Sequence, residues 1–354
     1  MFNNSLEQTK GENKMYSFKN DYSEGAHENI LKAMIDSNLE QTSGYGEDLY
    51  TEKAKQLLKQ KIENVSADIH FFVGGTQVNL TTISAFLRPH EAVISVQTGH
   101  INTHETGAIE ATGHKVVAMP TETGKLTPDV VEEALSIHTD EHMVKPRMVY
   151  ISNSTEIGTH YSLEELEALS EYCKTHHLIL FMDGARLGAA LMAKNSDVTL
   201  ADCARLTDAF YIGGTKNGAL MGEALVITHE ALKEDFRFMV KQKGALLAKG
   251  RILALQFIEL FKEDLYFELA NHANEMANLL AEGIRKAGYS FLTESATNQI
   301  FPIFPNALVE KIKTGFDITI WEKKDEEHAV VRLVTSWATK REEVERFSNF
   351  IINS

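Results

Sequence analysis

Lys216 lies in the stretch Tyr211-Ile212-Gly213-Gly214-Thr215-Lys216-Asn217-Gly218, and upstream of it an apolar run at 178–182 ends on Asp183-Gly184-Ala185-Arg186. An amine attacks a carbonyl only when neutral, and burial favours the neutral form of lysine. A buried lysine after one strand and a carboxylate at the end of another suit a Schiff base with pyridoxal phosphate (PLP), the acid pairing with the pyridinium nitrogen. A third stretch, Phe71-Phe72-Val73-Gly74-Gly75-Thr76-Gln77-Val78-Asn79, runs from a strand-like segment into an apolar-periodic helix. Backbone N–H groups at such a helix start bind phosphate, and Gly74 and Gly75 let the chain approach it closely. Each motif has a plainer reading: a solvated turn lysine, a strand terminus or helix cap, an ordinary strand-to-helix turn. Their combination and order point to one site.

The elements that must position these residues follow from the hydrophobic rhythm. Strand candidates are residues 69–73, 92–96, 115–119, 148–152, 178–182, 209–212 and 224–228, and helix candidates at 76–87, 128–137 and 162–175 lie between several of them. The last opens Ser162-Leu163-Glu164-Glu165, a capping-box pattern. Alternating strands and helices imply an α/β fold with a mainly parallel seven-stranded sheet covered on both faces. Ligands of such sheets bind beyond the carboxyl ends of the strands, where Gly74, Asp183 and Lys216 converge. Helices are also expected at 28–38 and 51–64, the second capped by Thr51. A long helical stretch at 232–267 leads away from the sheet towards further strands at 299–304, 317–321 and 329–334 and a helix from Lys340. The expected organisation is a flexible extension at 1–14, a large domain at 15–250 and a small α+β domain at 251–354.

With 354 residues and 43% apolar content, the chain is long enough for one large core and a smaller one. A formal charge of -15 and the lack of any Lys/Arg-rich block argue against a nucleic-acid or anionic-membrane surface. Two cysteines, Cys173 and Cys203, do not make a disulfide framework and suit a reducing compartment. No segment approaches the roughly 18 apolar residues of a transmembrane helix and the first residues lack a signal-peptide core, so a cytoplasmic protein is expected.

Taken together, Tyr45-Gly46-Glu47-Asp48, Gly74-Gly75-Thr76, Gly99-His100-Ile101 with Glu105-Thr106-Gly107-Ala108, Asp183-Gly184-Ala185-Arg186, Lys216 and Arg332-Leu333-Val334-Thr335 resemble the threonine aldolases, PLP enzymes of the aspartate-aminotransferase-like fold type I. The likeness runs from about residue 15 to the C-terminus. It implies that Lys216 carries PLP, that Asp183 keeps the ring nitrogen protonated, and that Gly74, Gly75, Thr76 and Thr215 hold the phosphate, with Lys241 reaching it from a neighbouring subunit. It implies that His100 stacks on the ring and assists removal of a β-hydroxyl proton, that Asn153 lies beside the ring, and that His142 lies near the hydroxyl. Arg186 and Arg332 would take an amino-acid carboxylate, with Asn20 beside it. Arg332 fits this independently, because a guanidinium in the apolar run at 329–334 needs an anion and its fork matches a carboxylate.

The implied reaction is retro-aldol cleavage of L-threonine or L-allo-threonine to glycine and an aldehyde, in a homodimer or homotetramer with shared active sites and no metal. The sequence departs from the family pattern at three places. Asn20 stands where serine is usual, Ser152-Asn153-Ser154-Thr155 where Glu-Asn-Thr-His is usual, and Asn217 where glycine follows the lysine. A β-eliminating lyase or aminotransferase on the same fold remains an alternative. More remote are a PLP carrier without activity and a metal-dependent hydrolase. The latter is suggested by His100 and His104, four residues apart, but no third ligand is identifiable.

Overall fold

A computed structural model describes residues 15–354; the expected extension at 1–14 lies outside the described residues. After a short β1 (Tyr16–Ser17) come β2 (Asp68–Phe72), β3 (Glu91–Val96), β4 (Val116–Met119), β5 (Lys145–Ser152), β6 (Ile179–Asp183), β7 (Ala209–Gly213) and β8 (Glu223–Ile227). The last seven form one sheet in the order β2-β8-β7-β6-β5-β3-β4. β8 runs antiparallel to both its neighbours, and every other pairing is parallel. The seven strands and the mainly parallel sheet expected from the sequence are thus present.

Every residue of β3, β6, β7 and β8 is buried. Their side chains alternate between two cores, one on each face. Ile94, Val149, Leu180, Phe210 and Val226 point to one face; Val93, Met148, Phe181, Tyr211 and Leu225 point to the other. Burial on both faces is why these strands read as continuous apolar runs. Thr127 accepts from the Val130 N–H at the start of helix Pro128–Ile137, and Ser162 and Glu165 form the expected reciprocal capping box.

Two sequence expectations are corrected. Helix Leu49–Lys61 is capped by Asp48, which accepts from the Thr51 backbone N–H and hydroxyl, each at 2.9 Å, so Thr51 lies inside the first turn. The stretch at 232–267 is broken into helices Phe236–Gln242 and Arg251–Phe261, and a third, Leu265–Lys286, begins before it ends. Gly244 and Asp264 take left-handed backbone angles (φ of 74° and 60°) at the breaks. Single-residue reversals of this kind leave little trace in apolar periodicity.

The C-terminal part contains β9 (Gln299–Ile300), β10 (Ile303–Pro305), β11 (Phe316–Asp317), β12 (Thr319–Lys323) and β13 (His328–Val334). β13 pairs antiparallel with β9, β10 and β12. A third core joins Met276, Leu280, Val331, Leu333 and Phe347 to Phe18, and β1 pairs in parallel with β11, so the start of the described chain packs with its end. Ala254, Phe257 and Leu260 pack with the large sheet, as does Leu269, whereas Met276 belongs to the C-terminal core. The two cores therefore meet inside helix Leu265–Lys286.

Candidate active site

The strands of the large sheet end around a cavity of about 450 Å³, lined among others by Lys216, Asp183, His100, Gly74, Gly75, Thr76, Thr215, Arg186 and Arg332. Asp183 is the last residue of β6, and Lys216 follows β7 in the next turn. Gly184 allows the ends of β6 and β7 to touch: a Cβ there would lie 1.8 Å from the Tyr211 carbonyl oxygen. A Cβ on Gly75 would lie 2.8 Å from the Tyr211 hydroxyl. Helix Gly75–Phe86 starts from an extended Gly74 with no side-chain cap, which leaves its first N–H groups without a side-chain acceptor. Asn217 is tolerated after the lysine because the left-handed turn falls one residue later, at Gly218 (φ of 91°), while its Nδ2 donates to the Tyr266 carbonyl at 2.7 Å.

Asp183 is almost wholly buried and accepts four hydrogen bonds. Oδ1 receives the Ala185 N–H (2.9 Å) and the Tyr211 hydroxyl (2.5 Å); Oδ2 receives the Tyr150 hydroxyl (2.5 Å) and Asn79 Nδ2 (3.1 Å). Burial alone would raise its pKa, but the His100 ring and these donors outweigh burial and hold the carboxyl below the usual range. Burial and then that anion push Tyr150 and Tyr211 well up, so both remain donors. Lys216 is driven the other way: burial first, then the Arg186 guanidinium, lower its pKa against the pull of Asp21, Asp183 and Glu223. Burial likewise raises the carboxyl of Glu223, which accepts from the Gly214 N–H at 3.0 Å.

His100 opens a short helix, His100–Thr103. Its backbone N–H donates to Glu156 Oε1 (3.0 Å), and its Nδ1 lies 2.8 Å from Glu105 Oε1. Arg186 is both a cavity wall and an ion-pair partner. Its Nε and Nη2 donate to the two oxygens of Asp21 at 2.7 and 3.0 Å, and Asn298 Nδ2 donates to the same carboxylate at 2.9 Å. Asp21 is fully buried; burial raises its pKa, but Arg186 and Lys216 outweigh that and hold it low. Arg332 differs. Its Nη2 donates to the Lys19 carbonyl at 3.3 Å, its guanidinium lies 5.6 Å from the Trp321 ring centre, and its Nε is buried without a partner. Among the described residues it pairs with no carboxylate, so a bound anion would complete it.

Four residues assigned from the resemblance lie off this cavity. Asn153 faces away between Ser152 and Ser154, which both line it, and its Oδ1 accepts from the Tyr161 N–H at 3.2 Å. Asn20 closes a turn by accepting from the Tyr22 N–H (3.0 Å) and the Ser23 hydroxyl (2.9 Å), so its neighbours carry the contacts: Tyr22 lines the cavity and Asp21 anchors Arg186. His142 is exposed in a polar loop, its N–H bound to Asp140 at 3.0 Å. Lys241 places its ammonium 4.5 Å from the Tyr45 ring centre.

Sequence reasoning overlooked Asn79, Glu105, Tyr150, Glu156, Tyr211 and Asp21. Tyr150 and Tyr211 had a signal, since period-two alternation puts them on the face of Phe181 and Asp183; Asp21 had none, because its partner is distant in sequence. His100 and His104 have ring centres 5.6 Å apart, and among the described residues no three metal-ligating side chains gather. Cys173 and Cys203 are free and buried, and burial pushes both thiols up to about 12.

These residues fit PLP. A buried amine kept towards neutrality, an ionised carboxylate, an uncapped helix start and an arginine lacking an anion face one cavity, as a pyridine aldehyde phosphate and its amino-acid substrate require.

The comparisons agree. The family profile of the β-eliminating lyases matches residues 19–306. The low specificity L-threonine aldolase of Pseudomonas aeruginosa is 33% identical over 299 residues, which cover 84% of this chain and 86% of that protein. A Leishmania major threonine aldolase structure is 50% identical, with a TM-score of 0.94 and coverage of 96% of this chain and 99% of that one. A Thermus thermophilus aspartate aminotransferase shares the fold at 17% identity, with a TM-score of 0.72 and coverage of 96% and 91%. The chain belongs to the β-eliminating lyase family, within its threonine aldolases, and is a PLP-dependent lyase.

Proposed function

We propose that the protein cleaves L-threonine or L-allo-threonine to glycine and acetaldehyde. The observation that carries this reading is the grouping of Lys216, Asp183, His100 and the unpaired Arg332 around one cavity. Its relatives in Pseudomonas and Leishmania bear the threonine aldolase name. When bound, PLP supplies an electron-accepting ring that stabilises negative charge at the amino acid's α-carbon.

The chain's own residues do the rest. Arg332 binds the substrate carboxylate, and Arg186, fixed by Asp21, borders the same position. That grip sets which bond at the α-carbon stands ready to break. His100 Nε2 accepts the β-hydroxyl proton as the aldehyde leaves. Lys216 would hold the cofactor through Nζ, and its protonated amine, when freed, would return a proton to the glycine α-carbon. Asp183, held ionised, would pair with the ring nitrogen. Gly74, Gly75, Thr76 and Thr215 would hold the phosphate.

The wider setting is also a proposal. Exposed Ile35, Leu39, Leu49 and Phe238 support a homodimer or homotetramer, in which Lys241 would face a neighbouring subunit's site; sedimentation as a fully active monomer would remove it. Among the described residues no helix is long and apolar enough to cross a membrane, and we propose a cytoplasmic enzyme. Incubating the PLP-loaded protein with L-threonine and with L-allo-threonine should release acetaldehyde and glycine in equal amounts. Pyruvate, ammonia or a keto acid in their place would favour an eliminating lyase or an aminotransferase.

A further inference from the structure

A hydrogen-bonded line runs from Asp183 to the cavity through side chains that the reaction scheme above does not use. Asn79 Nδ2 donates to Asp183 Oδ2 at 3.1 Å and to Glu105 Oε1 at 2.7 Å, and His100 Nδ1 lies 2.8 Å from that same Glu105 oxygen. Asn79 is fully buried, as is the Glu105 side chain, whereas the His100 side chain is 35% exposed. Glu105 Oε1 already accepts from the Asn79 amide, and as the acceptor of the His100 contact too it places that bond's proton on Nδ1. In the neutral ring the lone pair is then on Nε2.

We propose that Glu105 is a positioning residue: it fixes the His100 tautomer that leaves Nε2 free to accept the substrate's hydroxyl proton, and its charge stabilises the imidazolium that results. A carboxylate behind a histidine plays the same part in hydrolytic triads. That the proton comes from a β-hydroxyl rests on the aldol-cleavage reading.

Other ionisable groups face His100 without doing this work. Glu156, after β5, takes its backbone N–H. Asp183, at the end of β6, is already engaged by two tyrosines, Asn79 and a backbone amide. His104, in the same turn, has its pKa lowered by burial and then by His100 itself. Lys216 and Arg186 line the same cavity.

Glu105→Gln separates charge from geometry. The Asn79 donor orients the new amide with its oxygen inward, where it still accepts the His100 Nδ1–H, so the tautomer stays and the negative charge is lost. Histidine C2-hydrogen exchange, read by mass spectrometry on the holoenzyme across pH, measures the His100 midpoint without turnover. The variant should lower that midpoint by about one pH unit or more, and the acidic limb of kcat/KM should move the same way, with cofactor absorbance and Tm unchanged. Glu105→Asp, which keeps the charge but withdraws it from the ring, should lower the midpoint in part and is the fallback if the glutamine variant does not fold. Glu105→Gln added to His100→Asn should alter turnover by less than about twofold. A His100 midpoint that moves in neither variant overturns the proposal. If wild-type protein released no acetaldehyde, the aldolase reading would fall while the exchange midpoints still judged Glu105.

Discussion

A guanidinium set into an apolar strand without a carboxylate, as Arg332 is, leaves a charge to be answered by something that arrives. Arg186 is the contrast, because Asp21 already answers it. Arg332→Leu should therefore raise the KM for L-threonine by roughly 10- to 100-fold, the worth of one charge-assisted interaction, while kcat falls less and bound PLP persists. Unchanged kinetics would make Arg332 a structural residue. The sequence exposed Arg332, Asp183 and Lys216 because each breaks a local pattern: a charge inside an apolar run, directly after one, or in the glycine turn that follows one. It hid Glu105 and Asn79, whose importance comes from touching each other across 26 positions, a relation that no local window contains.

The elements were more legible than the contacts between them. β2 to β8 could be read because strands buried on both faces must be apolar throughout, and the Ser162–Glu165 box marked its helix start. The breaks at Gly244 and Asp264 escaped, and so did the N-terminal segment that crosses from the C-terminal core to the site. That segment is held by Asp21, which ties it to Arg186 after β6 and to Asn298 before β9. Asp21→Asn would leave a buried guanidinium uncompensated, at a cost of about 3–5 kcal/mol.

The pH dependence follows from the depressed Asp21 pKa. Its contribution is complete above the ordinary aspartate range and is lost as pH falls through the lower folded value. Denaturant titrations should therefore show wild type losing stability below about pH 4, with the variant already weaker at neutral pH and missing this component of the acid loss. Equal stability of the two proteins at pH 7 would contradict the anchor.

At the scale of the whole molecule, the mainly parallel sheet brings the ends of β2, β3, β5, β6 and β7 to one side, and β13 brings Arg332 across from the third, C-terminal core. One cavity thus receives a nucleophile and an anion from the large sheet and a carboxylate binder from the C-terminal core. Acid composition and the lack of basic blocks suit small-molecule chemistry over nucleic-acid binding. All of it depends on PLP being bound covalently through Lys216. Borohydride reduction of the intact holoenzyme, followed by peptide mass mapping, tests this most directly. A single phosphopyridoxyl group should appear on the peptide containing Lys216 and be absent when reduction follows Lys216→Ala. A reduced cofactor on another lysine, or none on a protein that still cleaves threonine, would contradict it.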